Sequence, residues 1–290
     1  MSMNQRIIFF GSGYYVIPIV EKLLKHNLLF VVTTEIDPPS RKAPEGQGES
    51  LIGYLKANNI PFIHSKLKTP EEINKITELA PTLGILASYG AFIPQGVIDL
   101  FPLGIFNIHP SLLPKYKGPS PIQYTILNGE KEGGVTVIKL DNEIDHGPIL
   151  AQKAVSLDGN ETLQSLTEKL FAVGSEMIEE IVQKVENGQL LEEKEQIHKD
   201  EVFTQKIKKT DGLIDLKSIP NAEDLDRKIR AFFPWPGVYL NVSLGGKTKI
   251  LKLFPQKMVQ VEGKNPMTKK DFINGYGKEA EEILEKLNLT

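Results

Sequence analysis

Two polar side chains that could act together on a carbonyl group lie in a short strand-like run near the middle of the chain. Apolar and polar residues alternate over residues 106–109. Successive side chains of a strand point to opposite faces, so Asn107 and His109 are expected to share one face. An acidic loop at residues 141–147 follows a second strand-like run and could bring a carboxylate to the same place.

An amide, an imidazole and a carboxylate together suit the transfer of an acyl group to an amine. When the amine attacks the carbonyl carbon, negative charge develops on the carbonyl oxygen, and each donor aimed at that oxygen is worth about 3 to 4 kcal/mol. A carboxylate beside His109 favours the protonated imidazole and can accept, through water, the proton that the amine loses. This chemistry requires neither a metal nor a covalent intermediate.

The carboxylate has three candidates, Asp141, Glu143 and Asp145, and three acids in one loop could equally form a cation site. Ser111 could be read as a nucleophile beside His109. No G-x-S-x-G motif surrounds Ser111, however, so a serine hydrolase is disfavoured.

The start of the chain predicts a βαβ unit with a glycine turn. A short apolar run ends at residues 11–13, Gly-Ser-Gly, and a helical pattern and a second strand-like run follow. A dinucleotide-binding fingerprint would need a third glycine where the chain has Val16, so we interpret the glycines as a tight strand-to-helix turn.

Composition excludes several classes of protein. The 290 residues are 40% hydrophobic and 24% charged, the balance of an ordinary globular protein of one large or two modest domains. The absence of cysteine excludes disulfides, thiolate catalysis and cysteine-based zinc sites. With no long apolar run and no signal segment, we expect neither membrane insertion nor secretion, and a cytoplasmic location.

Charge is distributed unevenly along the chain. Residues 1–205 hold 18 Lys and Arg against 26 Asp and Glu, whereas residues 206–290 hold 16 against 11. The difference between the two parts, −8 against +5, suggests a basic C-terminal module that could meet phosphates. A solvated, lysine-rich surface would give the same count.

The pattern along the chain predicts an α/β protein with two domains. Residues 1–200 should form a Rossmann-like, mostly parallel sheet with helices, including a long amphipathic helix at 162–186. A charged segment at 190–206 should contain the crossing to a C-terminal domain at 206–290. There, a helix at 221–232 precedes several short strands, and a terminal helix at 278–289 could cover a sheet edge.

The central motifs closely resemble those of the folate-dependent formyltransferases. Asn-x-His at 107–109 is followed in order by Ser-Leu-Leu-Pro at 111–114, a basic-glycine turn, Pro-Ile-Gln at 121–123 and Asp-x-Gly-x-Ile at 145–149. Further similar stretches at 6–11, 87–94 and 229–237 extend the resemblance over most of the chain.

The resemblance implies a catalytic trio of Asn107, His109 and Asp145, because the Asp-x-Gly pattern selects Asp145 among the three acids. It also implies 10-formyltetrahydrofolate as formyl donor and no metal. The expected folate contacts are Tyr89, Gly90, Phe92, Ile93, Ser111, Leu112, Leu113, Pro114 and Asp141.

The chain is most similar to the family members that formylate methionyl initiator tRNA, which implies an OB-like C-terminal barrel that helps to bind tRNA. Residues 235–276 are few for five strands, so a reduced or open barrel is expected. The implied tRNA contacts are Arg41, Lys42, Arg227, Lys228 and Arg230. A monomer is expected. A sugar-amine N-formyltransferase, a formyltetrahydrofolate hydrolase and a non-enzymatic RNA-binding module remain alternatives.

Overall fold

A seven-stranded sheet forms the centre of the first part of the protein in the computed structural model, which describes residues 5–34 and 50–289. Its strands are β1 (Ile7–Gly11), β2 (Leu28–Thr33), β3 (Phe62–His64), β4 (Leu83–Ala87), β5 (Ile105–His109), β6 (Glu132–Lys139) and β7 (Ile149–Ser156). Their order across the sheet is β3-β2-β1-β4-β5-β6-β7. Strands β1 to β5 pair in parallel, whereas β6 is antiparallel to β5.

Strands β1 and β4 are buried almost throughout, which explains their nearly continuous apolar sequences. Both faces of a parallel sheet are covered by crossover helices, so its central strands lose the alternation of half-exposed strands. In chain order, the helices of the first 186 residues are α1 (Ile17–Leu23), α2 (Leu51–Ala57), α3 (Pro70–Glu78), α4 (Gln95–Ile98), α5 (Pro121–Leu127) and α6 (Leu163–Glu186). The predicted Rossmann-like sheet and long amphipathic helix are confirmed.

The adjacency of β1 and β4 creates a switch point in the sheet. From β1 the chain proceeds outward through β2 and β3, and then returns to place β4 and β5 on the other side of β1. In open α/β sheets, ligands bind outside the carboxyl ends of the strands at such a point. The carboxyl ends of β1 and β4, and of β5 that pairs with β4, are therefore the place to look for a site.

The chain divides into two compact units that are not continuous in sequence. Unit 1 holds the residues up to Pro119 together with Gly134–Val155 and Thr167–Phe203. Unit 2 holds Ser120–Gly133, Ser156–Leu166 and the residues from Thr204 onward. Unit 2 therefore includes α5, which packs on α7 (Ala222–Phe232).

Unit 2 contains a four-stranded antiparallel sheet of β8 (Val238–Leu244), β9 (Lys247–Phe254), β10 (Met258–Val261) and β11 (Met267–Thr268). The strands lie side by side in chain order. On β8 the buried side chains alternate with exposed or half-buried ones, as expected of a sheet with one solvated face. Helices α8 (Lys269–Tyr276) and α9 (Lys278–Lys286) follow. The predicted small β-rich region is confirmed, with four strands among the described residues.

Single turns of 3-10 helix complete the described secondary structure, at Tyr14–Val16, Leu24–His26, His198–Asp200, Lys209–Gly212 and Pro255–Lys257. Within residues 5–34 and 50–289, no helix is both long enough and apolar enough to cross a membrane.

Adjacent glycines of β6 provide a test of the packing. A Cβ at Gly134 would lie 2.3 Å from a methyl carbon of Leu112 and 2.6 Å from the carbonyl oxygen of Lys153, whereas at Gly133 the nearest atom, in Leu157, is 3.5 Å away. Gly134→Ala should lower the free energy of unfolding by about 1 to 3 kcal/mol. The matched Gly133→Ala should change it by less than about 1 kcal/mol. Urea unfolding of both variants measures the difference, and equal losses would contradict the packing described here.

Candidate active site

Strand β5 places Asn107 and His109 near the carboxyl edge of the sheet. Asn107 lies opposite Leu86 of β4 and Ile138 of β6, and His109 lies opposite Thr136 of β6. Both polar side chains are almost completely buried, with 7% and 5% of their surface exposed. Because buried polar groups need partners, their hydrogen bonds define the site.

The carboxylate of Asp145 is the common partner of this site. Its Oδ1 accepts a hydrogen bond from Nδ2 of Asn107 at 3.2 Å, and its Oδ2 accepts one from the backbone N–H of Gly118 at 2.7 Å. Nδ1 of His109 lies 3.5 Å from Oδ1. The structure therefore brings Asn107, His109 and Asp145 together.

The second ring nitrogen of His109 is held by the backbone. Nε2 lies 2.9 Å from the carbonyl oxygen of Tyr116. A carbonyl oxygen only accepts hydrogen bonds, so Nε2 carries the hydrogen and Nδ1 faces the carboxylate. The imidazole is thereby oriented so that a proton gained at Nδ1 lies beside Asp145.

The loop after β6 presents Asp145 through an unusual backbone conformation. Asp145 has a φ of 48°, in the left-handed region that residues with a Cβ rarely adopt. A Cβ at Gly147 would lie 1.9 Å from the carbonyl oxygen of Lys139, so only glycine fits there. The amide Nε2 of Gln196 lies within hydrogen-bond distance of the carbonyl oxygens of residues 145, 146 and 147, which share its two hydrogens. The Asp-x-Gly pattern thus has a steric basis.

The segment 111–118 closes the other side of the site. The hydroxyl of Ser111 donates to the carbonyl oxygen of Lys115 at 2.6 Å, and the carbonyl oxygen of Ser111 accepts a bond from the hydroxyl of Thr136. The backbone N–H of Leu113 also donates to Thr136, and the Leu113–Pro114 peptide bond is cis. Ser111 and Leu113 are buried, so their side chains support the turn that carries Tyr116 and Gly118.

The turn after β4 divides into core and exposed residues. Tyr89 and Ile93 belong to the hydrophobic core, with 1% and 3% exposure. The hydroxyl of Tyr89 donates to the carbonyl oxygen of Ser65, and burial raises the pKa of this phenol. Gly90, with a φ of 73°, and Phe92 are exposed. Of the predicted folate contacts in this turn, Gly90 and Phe92 are the ones open to a ligand.

A cavity of about 660 Å³ opens beside Asp145 in unit 1. Its walls combine aromatic, acidic and basic side chains, and the exposed residues Phe92, Ile144 and Phe203 supply apolar surface. The lining residues are Phe92, Lys117, Asn142, Glu143, Ile144, His146, His198, Glu201 and Phe203. The buried ammonium of Lys117 pairs with Glu201 and lies over the ring of Phe203.

Two stacked imidazoles form part of the cavity wall. The rings of His146 and His198 lie 4.3 Å apart and are nearly parallel. Nδ1 of His146 is 2.7 Å from Oδ2 of Asp141, and Nδ1 of His198 is 2.6 Å from Glu201. The hydrogen bond to Asp141 raises the pKa of His146. Asp141, a predicted folate contact, therefore already binds an imidazole of the protein.

The predicted tRNA contacts are only partly placed. Arg41 and Lys42 lie outside the described residues. Arg227 pairs with Glu223 and Asp224, and Arg230 pairs with Asp226 and donates to the carbonyl oxygen of Glu161. Lys228 lies over the ring of Phe232, and desolvation lowers its pKa. These five residues stay predictions, and the two arginines of α7 are engaged with acids.

Several groups that hold the site were not predicted from the sequence. The N–H of Gly118 and the carbonyl of Tyr116 belong to the basic-glycine turn that was recognised only as a motif. Gln196 lies 51 positions beyond Asp145 in a charged segment, and no local signal pointed to it. In the part of the chain that the structure describes, no group of three His, Asp or Glu side chains is arranged to hold a metal.

Most of the chain is similar in sequence to known proteins. Residues 5–182 match the family described as formyl transferase, and residues 206–258 match the formyl transferase C-terminal domain. The methionyl-tRNA formyltransferase of Geobacter sulfurreducens is 35% identical over 257 residues, covering 86% of this chain and 77% of that protein. The corresponding protein of Thermotoga maritima is 36% identical over 268 residues, covering 90% and 82%.

The chain therefore belongs to the formyl transferase family, which confirms the resemblance noted in its motifs. A solved N-formyltransferase from Helicobacter canadensis, in complex with folinic acid and dTDP-3-aminofucose, has a similar fold. The TM-score is 0.60 at 21% identity, and the match covers 89% of this chain and 95% of that one.

The contact between His146 and Asp141 makes a titration testable. Because the carboxylate favours the imidazolium, the pKa of His146 should lie above its ordinary value and fall in Asp141→Asn. The stabilisation is fully present below the unfolded-state pKa and is lost as pH rises through the raised folded-state pKa. NMR titration of the imidazole measures the shift. Asp99→Asn, which alters an exposed acid bonded to Gln95, is the control; identical curves in all three proteins would refute the coupling.

Proposed function

We propose that the protein transfers a formyl group from 10-formyltetrahydrofolate to the amino group of methionyl-tRNA. The observation that carries the proposal is the convergence of Asn107, His109 and Asp145 at the carboxyl end of β5. The chain also belongs to the formyl transferase family, and the two relatives described above are methionyl-tRNA formyltransferases.

In the proposed reaction, the amine nitrogen attacks the formyl carbon and the formyl oxygen becomes negative. The second N–H of the Asn107 amide donates to that oxygen, and an imidazolium at His109, whose Nδ1–H faces Asp145, stabilises the negative charge electrostatically, in a site that is largely withdrawn from water. Asp145 accepts the proton of the attacking amine through a water molecule. The intermediate then loses N10 of the folate, which takes up a proton, and the products are tetrahydrofolate and formylmethionyl-tRNA.

The cavity beside Asp145 is our candidate for the folate. Phe92 offers an exposed aromatic ring for the flat parts of the donor, and Ile144 and His146, the chain neighbours of Asp145, line the same cavity. Gly90 lies open in the same turn as Phe92. The core positions Tyr89 and Ile93 would act by fixing that turn, and Ser111, Leu112, Leu113 and Pro114 by fixing the opposite segment. The folinic acid bound by the Helicobacter canadensis protein is consistent with a folate donor.

The acceptor tRNA would be bound by the basic C-terminal part, which we assign to residues 206–290, with residues 1–200 as the catalytic domain. Because Arg227 and Arg230 are paired with acids, exposed lysines are better suited to meet phosphates. They are Lys247, Lys252, Lys257, Lys264 and Lys270. Trp235, with 39% exposure, adds a ring on which a base could stack. Arg41 and Lys42 remain proposed contacts of the acceptor end.

Removal of the catalytic groups tests the mechanism. Asn107→Ala should lower kcat by about 100- to 1,000-fold, because it removes a donor to the developing oxyanion. His109→Ala and Asp145→Asn should each lower kcat by at least about 100-fold. Steady-state kinetics on folded protein, verified by circular dichroism, give these values. Asn187→Ala, at an exposed position of the chain, should turn over normally. A folded His109→Ala variant with near-normal kcat would eliminate the mechanism.

The identity of the acceptor is tested by comparing reaction rates with different acceptors. The protein is supplied with 10-formyltetrahydrofolate and, in separate reactions, methionyl-tRNA, a nucleotide-linked amino sugar or buffer alone. The rate of methionyl-tRNA formylation is measured as acid-precipitable formyl label. We expect this rate to exceed the rates of formyl transfer to the sugar and of formyl loss in buffer by at least about 100-fold, because a site that hydrogen-bonds its own substrate discriminates against others. Preferred formylation of the sugar would overturn the tRNA assignment, and loss of formyl without an acceptor would identify a hydrolase.

A further inference from the structure

Gln196 makes an unusual set of hydrogen bonds beside the catalytic carboxylate. Its side-chain Nε2 lies 2.9 Å, 3.0 Å and 2.8 Å from the carbonyl oxygens of Asp145, His146 and Gly147. Only 6% of the residue is exposed. The two hydrogens of one buried amide are therefore shared among three consecutive carbonyl groups of the loop that presents Asp145.

The loop needs such support because of its backbone conformation. Asp145 is left-handed, with a φ of 48°, although it carries a Cβ. Residues in this region persist where the surrounding structure over-determines them, and such strain concentrates at functional sites. The carboxylate of Asp145 contacts Asn107 and the N–H of Gly118 from this conformation, so relaxation of the backbone would move the carboxylate away from its partners.

The other half of the Gln196 amide shows which part of the side chain is used. Its Oε1 is buried and has no hydrogen-bond partner among the described residues. The hydrogen bonds of the side chain are made by its Nε2 group, to the backbone carbonyl oxygens of residues 145–147.

The backbone on both sides of Gln196 is anchored to the same unit. Lys194 and Ile149 exchange two backbone hydrogen bonds, at 2.8 Å and 2.9 Å. Val202 accepts a bond from the N–H of Lys117 at 2.9 Å, and the adjacent Glu201 pairs with the ammonium of Lys117. The side chain of Gln196 therefore projects from a segment that is held at both ends, as a positioning group requires.

We propose that Gln196 is a positioning residue for formyl transfer, which fixes Asp145 in the conformation from which its carboxylate reaches Asn107, His109 and Gly118. It does so from the segment between the two family matches, residues 183–205. The inference rests on the proposed role of Asp145 in the reaction. The side chain of Gln196 contacts the backbone of residues 145–147 and not the Asp145 carboxylate, so it acts on kcat by positioning Asp145.

The test uses Gln196→Met, which keeps the length of the side chain and removes the donor, in the full-length protein. The first readout is amide hydrogen exchange of Gly118, whose N–H is bonded to the Asp145 carboxylate and should exchange at least about tenfold faster once that carboxylate moves. The second is kinetic: kcat should fall by about 10- to 100-fold while KM for folate and tRNA changes less than about threefold. Gln189→Met, at an exposed position nearby in sequence, should leave both readouts unchanged.

The two readouts separate the failure of this inference from failure of the proposed function. Unchanged Gly118 exchange in folded Gln196→Met, or faster exchange with unchanged kcat, overturns the positioning role. If the unaltered protein formylates no methionyl-tRNA, the proposed function fails, while the exchange measurement still decides whether Gln196 holds Asp145. If Gln196→Met does not fold, Gln196→Asn carries the same test, because it keeps the amide on a side chain that is one methylene shorter. This variant should give smaller changes in the same direction. Unchanged exchange and unchanged kcat in Gln196→Asn would overturn the inference.

Discussion

A carboxylate that is largely withdrawn from water requires hydrogen-bond donors. The donors to Asp145 come from different segments of the chain, so this carboxylate determines how a strand, a turn and a loop meet at the site. Its side chain is 12% exposed. It takes one donor from a strand, Nδ2 of Asn107, and one from a turn, the N–H of Gly118. Desolvation of an unpaired carboxylate would be very costly, so strand, turn and loop are only stable together. The same contacts place His109 beside the acid that the proposed chemistry needs.

The sheet topology makes this meeting possible. The antiparallel pairing of β6 with β5 begins the loop 140–148 beside the strand that carries Asn107 and His109. The close approach of the backbone at Gly147 then folds that loop back over the strand, with a left-handed residue at Asp145. A rigid strand and a strained loop thus share one site: the strand supplies fixed donors, and the loop supplies the carboxylate at a position that a regular element could not reach.

In the C-terminal part, the cations that are free to meet a phosphate are not the ones clustered on α7. Three cations lie close together near the end of this helix, but acids one turn earlier pair with Arg227 and Arg230. Pairs at a spacing of four residues face each other on a helix, so an arginine in such a pair is less available to a phosphate. On β9, by contrast, Lys247 and Lys252 are exposed. The net charge of a segment therefore does not identify its free cations.

The sequence by itself determined the elements and the family. The apolar runs and the helical periodicity of residues 163–186 predict the parallel sheet and its long helix, because burial imposes those patterns locally. The alternation over β5 placed Asn107 and His109 on one face, and the ordered motifs identified the formyl transferase family. Only the tertiary structure revealed that Tyr89 and Ile93 are core residues while Phe92 is open, and that Gln196 binds the loop of Asp145. Those facts depend on contacts between residues far apart in the chain. Such contacts produce no periodic pattern in the sequence, because an amide side chain and backbone carbonyls can meet whatever number of residues lies between them.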